Sequence, residues 1–254
     1  MKTSYRDDDT SRGAELSALS GDRALYITES LVEIPENPDF LGRLNAADRL
    51  RVIRRGTRRS YAPGKAFFRQ GEKHDGIHVI ETGIVRSCYA APSGREITLA
   101  YWTPGHFVGG PEIFGGGEHM WSSIAVEQSH ALWLPGKELM SLIRSIPDLA
   151  LGLIEGLVHK GKCYSALLQF LGTKPMSKRL AHLLLTLVER HGATSGQTVV
   201  ITRKYTHEQL ASMIGATRQW VSITLDRMER EGLTTQHDGC IVVLDRPRLV
   251  EYSL

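Results

Sequence analysis

The chain has 254 residues, a formal net charge of +3 and 23% charged residues, which leaves room for one large or two medium domains, each with a real core. Mild basicity permits nucleic-acid binding without arguing for it, and the three scattered cysteines (Cys88, Cys163, Cys240), with no C-x-x-C pair, speak against a disulfide framework or a cysteine-held metal cluster. The polar start M-K-T-S-Y-R-D-D-D-T-S-R lacks a secretory apolar core and no run is long enough to span a bilayer, so a cytoplasmic protein without a membrane partner is expected.

Residues 1–35, rich in Ser, Asp and Arg, read as a flexible extension, with a short ordered segment over 26–34. Residues 40–55 set Phe40, Leu41, Leu44, Leu50 and Ile53 among charges and predict a surface helix. Its basic end (Arg49, Arg51, Arg54, Arg55, Arg58, Arg59) reads as a solvated face rather than a nucleic-acid contact. Over 61–134 the texture changes. Short β-rich runs at 76–80, 83–89, 96–101 and 123–126 alternate with glycine-bearing turns, which predicts an antiparallel barrel or sandwich.

Pro135-Gly136 opens a helical region, and Pro147 starts a long helix reaching Leu171. Its apolar residues fit two registers of 3-4 spacing. One takes Ala150, Leu153, Leu157, Lys160, Tyr164, Leu167 and Leu171; the other takes Ala150, Ile154, Leu157, Gly161, Tyr164, Leu168 and Leu171. Two apolar edges over three heptads suggest a helix that pairs with its own copy, packs on the barrel, or does both. Gly172-Thr173-Lys174-Pro175 breaks this helix and marks a hinge. A helix over 176–190 follows, with Leu180, Leu183, Leu184, Leu187 and Val188 inward, then a polar loop over 191–197 and a strand over 199–201.

Residues 205–232 carry the most specific pattern, Y-T-H-E-Q-L-A-S-M-I-G-A-T-R-Q-W-V-S-I-T-L-D-R-M-E-R-E-G. Thr206 and Gln209 make a capping box, Leu210, Met213 and Ile214 share one face, and Gly215 stops the helix where positive φ is tolerated. Thr217 caps a second helix with Val221, Leu225 and Met228 inward, and Ala211 suits the close crossing of the two. This is a helix-turn-helix. Arg218, Gln219, Ser222 and Arg227 stand off the apolar face, with Trp220 near the helix start. Arg and Gln can each make paired hydrogen bonds to a purine. Runs at 233–235 and 241–244 about Asp238-Gly239 make a hairpin, the wing of a winged helix. The candidate DNA contacts are Thr206, Thr217, Arg218, Gln219, Trp220, Ser222 and Arg227.

The order of parts resembles the CRP/FNR superfamily of bacterial transcription regulators over roughly residues 40–244. The resemblance rests on Y-A-P-G-K-A-F-F-R-Q-G-E, P-G-H-F-V-G-G-P-E-I-F, M-S-K-R-L-A-H-L-L-L and the helix-turn-helix. It implies an α+β fold after the extension at 1–35: a double-stranded β-helix or jelly-roll barrel (36–146), a dimerisation helix (147–172) and a winged helix-turn-helix domain (173–254). It also implies a homodimer on a two-fold symmetric operator, RNA polymerase as a partner if the protein activates, and an effector pocket between barrel and long helix. The second helix register is favoured, with Ile154, Leu157, Gly161, Tyr164, Leu168 and Leu171 at the dimer interface and Lys160 turned toward the pocket.

Cyclic-nucleotide members of the family hold the phosphate between a Gly-Glu pair and an Arg-Ser pair. Here that cassette spans 109–125. The Gly-Glu pair falls on Gly109 and Gly110, with Glu112 two residues later; the Arg-Ser pair falls on Met120-Trp121, next to Ser122; the base-contacting positions fall on Tyr164 and Ser165. A buried phosphodiester without a cation is costly, so cyclic AMP is not the expected effector. Met120, Trp121, Lys160 and Tyr164, with Trp102, are expected to take an organic or aromatic anion. The cysteine cluster of iron–sulfur members is lacking, and Pro111 occupies the haem-ligating place. His106, His119, His130 and His159 keep haem as an alternative, alongside a cyclic-nucleotide-dependent regulator of the same fold. The family's Arg-Glu-x-x-x-Arg readout falls on Arg218, Gln219 and Ile223, which implies a different operator. No P-loop, H-E-x-x-H or nucleophile elbow appears, so an enzyme is not expected; a barrel that only signals to another protein is the remaining rival.

Overall fold

The computed structural model describes residues 39–109 and 116–254. The expected extension at 1–35 and the cassette positions Gly110, Pro111 and Glu112 lie outside the described residues.

A short helix opens the described chain. Helix α1 (Ala46–Arg55) is capped by Asn45, whose side chain accepts from the Asp48 amide at 2.9 Å. Phe40, Leu41 and Leu44 are buried, but in the turn before the helix rather than within it. Val52 carries the inward face and Leu50 is 52% exposed. The basic end is mostly neutralised: Arg51 pairs with Asp48, Arg55 with Glu138 and Arg58 with Glu81, while Arg59 lies over the Trp133 ring at 3.7 Å.

Two antiparallel four-stranded sheets form the barrel. One has the order β1 (Thr57–Tyr61), β8 (Ser129–Pro135), β3 (Gly76–Thr82), β6 (Phe107–Val108). The other has the order β2 (Ala66–Phe68), β7 (Ser122–Ala125), β4 (Val85–Ala90), β5 (Glu96–Trp102). Strands β1, β2, β6 and β8 are not among the runs named from the sequence. Strand β1 reads T-R-R-S-Y, so its arginines looked like the end of a helix; pairing with β8 from Thr57↔Trp133 to Tyr61↔Ser129 settles it as strand. Phe67, Phe68, Ile80, Val85, Trp102 and Val108 fill the space between the sheets. A second cluster, Ile77, Val79, Leu132 and Leu134, packs outward against Val52, against Leu139 and Leu142 of α2 (Gly136–Ser145), and against the long helix.

That long helix, α3 (Pro147–Thr173), carries proline in its first turn and runs two residues past the expected end. Leu149, Leu153, His159, Lys160, Cys163, Leu167 and Phe170 face the protein, whereas Leu151, Ile154, Leu157, Val158 and Leu168 are exposed. The two registers are thus largely two faces of one rod. Close approach to the barrel depends on glycine: a Cβ at Gly156 would sit 2.5 Å from Phe107 Cε1, while one at Gly161 meets nothing.

The C-terminal region begins with α4 (Met176–His191) and continues through α5 (His207–Ile214) and α6 (Arg218–Arg230) to α7 (Arg246–Ser253). An antiparallel sheet β11–β12–β10–β9 completes it, from β9 (Gly192–Ser195), β10 (Thr198–Ile201), β11 (Thr234–His237) and β12 (Cys240–Val243). The expected polar loop over 191–197 is instead strand β9 and its turn; G-A-T-S is exposed throughout, so no alternation of apolar residues betrays the edge strand. Tyr101 of β5 belongs to the buried core of this region, joined by half-buried Ile84 and Val126, so the barrel edge and the helix-turn-helix share apolar contacts.

Candidate nucleic-acid interface and barrel interior

Local chemistry fixes the helix-turn-helix. The Gln209 amide donates to Thr206 Oγ1 at 3.1 Å and the Thr206 amide to Gln209 Oε1 at 2.8 Å, closing the capping box. Gly215 takes φ 65° and ψ 37°, the left-handed conformation that ends α5. Arg179 Nη1 donates to the Ile214 carbonyl at 2.5 Å, satisfying a helix-end acceptor. Thr217 Oγ1 accepts from the Trp220 amide at 3.2 Å and starts α6. Leu210, Met213, Ile214, Val221, Leu225 and Met228 are buried, as the periodicity requires.

The candidate contacts divide into two groups. Arg218 and Gln219 are exposed in the first turn of α6. The others are already engaged. Thr206 and Thr217 serve as caps, and half-buried Trp220 packs on the core. Arg227 Nη2 donates to Tyr252 Oη at 2.8 Å. Ser222 Oγ donates to the Arg218 carbonyl at 3.1 Å and lies 2.6 Å from His207 Nδ1.

Neither His207 nor Gln236 is among the DNA contacts expected from the sequence. His207 Nε2 lies 3.4 Å from Gln236 Nε2 on β11. The Ser222 hydroxyl, already donating to the Arg218 carbonyl, can accept from His207 Nδ1–H, which leaves Nε2 to accept from the Gln236 amide. The first helix, the second helix and the wing are thereby tied at one point. The available signal was the placement of His207 just after an N-cap, where a side chain stands at the helix-turn-helix rim.

Inside the barrel, Trp102 is fully buried and its Nε1–H donates to Ser87 Oγ at 2.9 Å, which in turn lies 2.8 Å from Ser123 Oγ. Tyr164 of α3 meets Trp102 edge-on at 6.4 Å and Trp121 at 6.0 Å. Burial pushes its phenol well above the ordinary range, and its hydroxyl has no hydrogen-bond partner among the described residues. Of the expected pocket, the structure brings together Trp121, Tyr164 and Trp102. Met120 does not join them: it is 63% exposed. Lys160 is buried, but its ammonium donates to the Phe107 carbonyl at 2.7 Å and sits 3.6 Å from the Trp102 ring centre. The cation expected for an anionic ligand is therefore already engaged, and burial lowers its pKa to about 7.

Gly109 is buried against β3, where a Cβ would meet Ile77 Cγ2 at 3.0 Å; Ser122 Oγ accepts from the Gln70 amide at 3.0 Å; Ser165 is exposed. The histidines are less isolated than their spacing suggested. His106 and His159 face each other across the barrel–helix junction, Nε2 to Nε2 at 3.4 Å, and burial, aided by Lys160, lowers the His106 pKa to about 3. His119 stacks on Phe68 at 3.7 Å, and His130 lies 2.9 Å from Thr82 Oγ1. No group of three or more His, Cys, Asp or Glu suited to a metal occurs among the described residues.

Residues 58–145 match the family model of the cyclic nucleotide-binding domain, and residues 178–252 match the Crp-like helix-turn-helix domain. The chain is 30% identical over 196 residues to the Cyclic AMP receptor protein of Thermus thermophilus, covering 77% of this chain and 88% of that protein. It belongs to the CRP/FNR superfamily of transcription regulators. The CRP-like cAMP-activated global transcriptional regulator of Mycobacterium tuberculosis is 27% identical over 186 residues, covering 73% of this chain and 83% of that one. The c-di-GMP responsive global regulator CLP of Xanthomonas campestris shares the fold at a TM-score of 0.70 and 18% identity, across 79% of this chain and 100% of its own. In this CRP/FNR chain, α5 and α6 are therefore the helices of a DNA-binding transcription regulator, preceded by a barrel of the cyclic-nucleotide-binding type. No helix among the described residues is long and apolar enough to cross a membrane.

Proposed function

We propose that the protein is a homodimeric, sequence-specific regulator whose two α6 helices enter successive major grooves about 34 Å apart. The observation that carries this reading is the first turn of α6, where Arg218 and Gln219 stand exposed while the other polar groups of the face are tied into caps and bridges. Pairing of two chains is supported by the exposed stripe on α3. Leu151, Ile154, Val158 and Gly161 follow 3-4 spacing, which continues through Ser165 to Leu168, with Leu157 beside them; Tyr164 and Leu171 are half-buried against their own chain. Val158 and Leu151 replace Tyr164 and Leu171 in the seam.

A small organic effector is proposed to bind where Trp121, Trp102 and Tyr164 converge. The buried Tyr164 hydroxyl supplies a hydrogen bond that nothing among the described residues takes up. With Lys160 engaged and no arginine at Met120-Trp121, an uncharged aromatic molecule bearing a hydroxyl suits this site better than cyclic AMP.

Gel-shift titration of a duplex from the protein's own promoter region, with and without small phenols, carboxylates or cyclic AMP, tests the whole reading. Arg218→Ala should weaken binding by about 1–3 kcal/mol and relax preference at one position per half-site. Leu168→Glu should shift sedimentation from dimer to monomer. Equal loss on every sequence would make Arg218 a phosphate contact, and stabilisation by cyclic AMP alone would overturn the effector assignment.

A further inference from the structure

Helix α6 carries one exposed apolar side chain, Ile223, which is 58% exposed. A single exposed isoleucine is ordinary on any surface, so its place decides its meaning. At 100° per residue, Gln219, Ile223, Asp226 and Arg230 fall opposite the buried Val221, Thr224, Leu225 and Met228. Ile223 therefore points away from the core on the same side as Gln219, one turn further along and about 6 Å up the axis, close to two base-pair steps. A β-branched residue there loses side-chain freedom in the helix without gaining packing within the chain. A groove edge presents hydrogen-bond donors and acceptors at every base pair, and an apolar side chain would strip them of water. The one apolar feature is the C5-methyl group of thymine.

We propose that Ile223 is a specificity-determining residue that reads a thymine methyl one or two base pairs from the position read by Gln219. This rests on the reading in which α6 enters the major groove, and the test separates the two.

The full chain is used to enrich a duplex from a randomised pool at low salt, alone and with cyclic AMP, small phenols or carboxylates. Each thymine of the enriched half-site is then replaced in turn by deoxyuridine, which removes the methyl and nothing else. One replacement per half-site should weaken wild-type binding about fourfold, the worth of one methyl-sized group removed from water. Ile223→Ala should bind the thymine and deoxyuridine duplexes equally, and Ile223→Val should keep part of the discrimination. If no thymine is sensitive, or if Ile223→Ala keeps the wild-type sensitivity, the assignment to Ile223 is wrong, while an altered preference in Arg218→Ala would still uphold the groove reading. If no duplex is enriched, both fall together.

Discussion

Thr98 on β5 and Ser212 on α5 meet hydroxyl to hydroxyl at 3.0 Å, both buried, and so join the barrel directly to the first helix of the DNA-binding pair. Arg86 Nη1 also donates to Thr98 Oγ1 at 3.3 Å, and Ser212 Oγ donates to the Gln209 carbonyl at 2.9 Å. Removing either hydroxyl should cost about 1 kcal/mol, since a buried partner loses its bond. Thr98→Val combined with Ser212→Ala should cost less than the sum of the two, by about 0.5–1 kcal/mol in urea titration. Strict additivity would mean that the two domains do not rest on each other here in solution.

Lys160 makes stability depend on pH in a defined direction. Its ordinary value is 10.5 and burial brings it to about 7 in the folded chain. Between those values the unfolded chain holds a proton that the folded chain releases, so stability rises with pH across this window; below about 7 the full cost of a buried ammonium is present. Lys160→Met should therefore gain on wild type by roughly 2–4 kcal/mol more at pH 6 than at pH 10. Thermal unfolding at several pH values reads this out, and a flat difference would show that water reaches the amine.

Gly156 and Gly161 lie one and a half turns apart on α3 but face opposite ways. Alanine at 156 would meet the Phe107 ring at 2.5 Å and should destabilise the folded chain by about 1–3 kcal/mol. A Cβ at 161 meets nothing within its own chain, so alanine there should not destabilise the folded chain while altering self-association by analytical ultracentrifugation. Identical behaviour of the two variants in both assays would contradict the division of the helix into inner and outer faces.

His207 ties α6 to the wing, so His207→Ala should weaken operator binding about fivefold, roughly 1 kcal/mol for the lost bridge, without changing which sequence is preferred. Competition gel shifts with mismatched duplexes measure this, and a changed base preference would make His207 a direct reader.

The helix-turn-helix was legible because its signals are local. Thr206 with Gln209, Gly215 and Thr217 each act within four residues, and apolar periodicity does the rest. Strands β2 and β6, of three and two residues, are too short to show alternation, and β1 hides behind adjacent arginines. The proposed effector site was harder to read. Which side of α3 carries Lys160 follows from its helical phase, but its engagement depends on a carbonyl at Phe107, 53 residues away. In the same way, the Ser222–His207–Gln236 bridge joins three elements that only the tertiary arrangement brings together.

The lodging of Tyr101 has a mechanical meaning. Its ring belongs to one sheet edge by chain connectivity and to the other domain's interior by packing, in the same buried cluster as Leu180, Met213 and Ile214. The packing thus joins β5 to the helix-turn-helix region directly, by a route that does not run through the break between α3 and α4 at Lys174-Pro175. Cutting the chain there would leave an empty socket on one fragment and a stranded ring on the other.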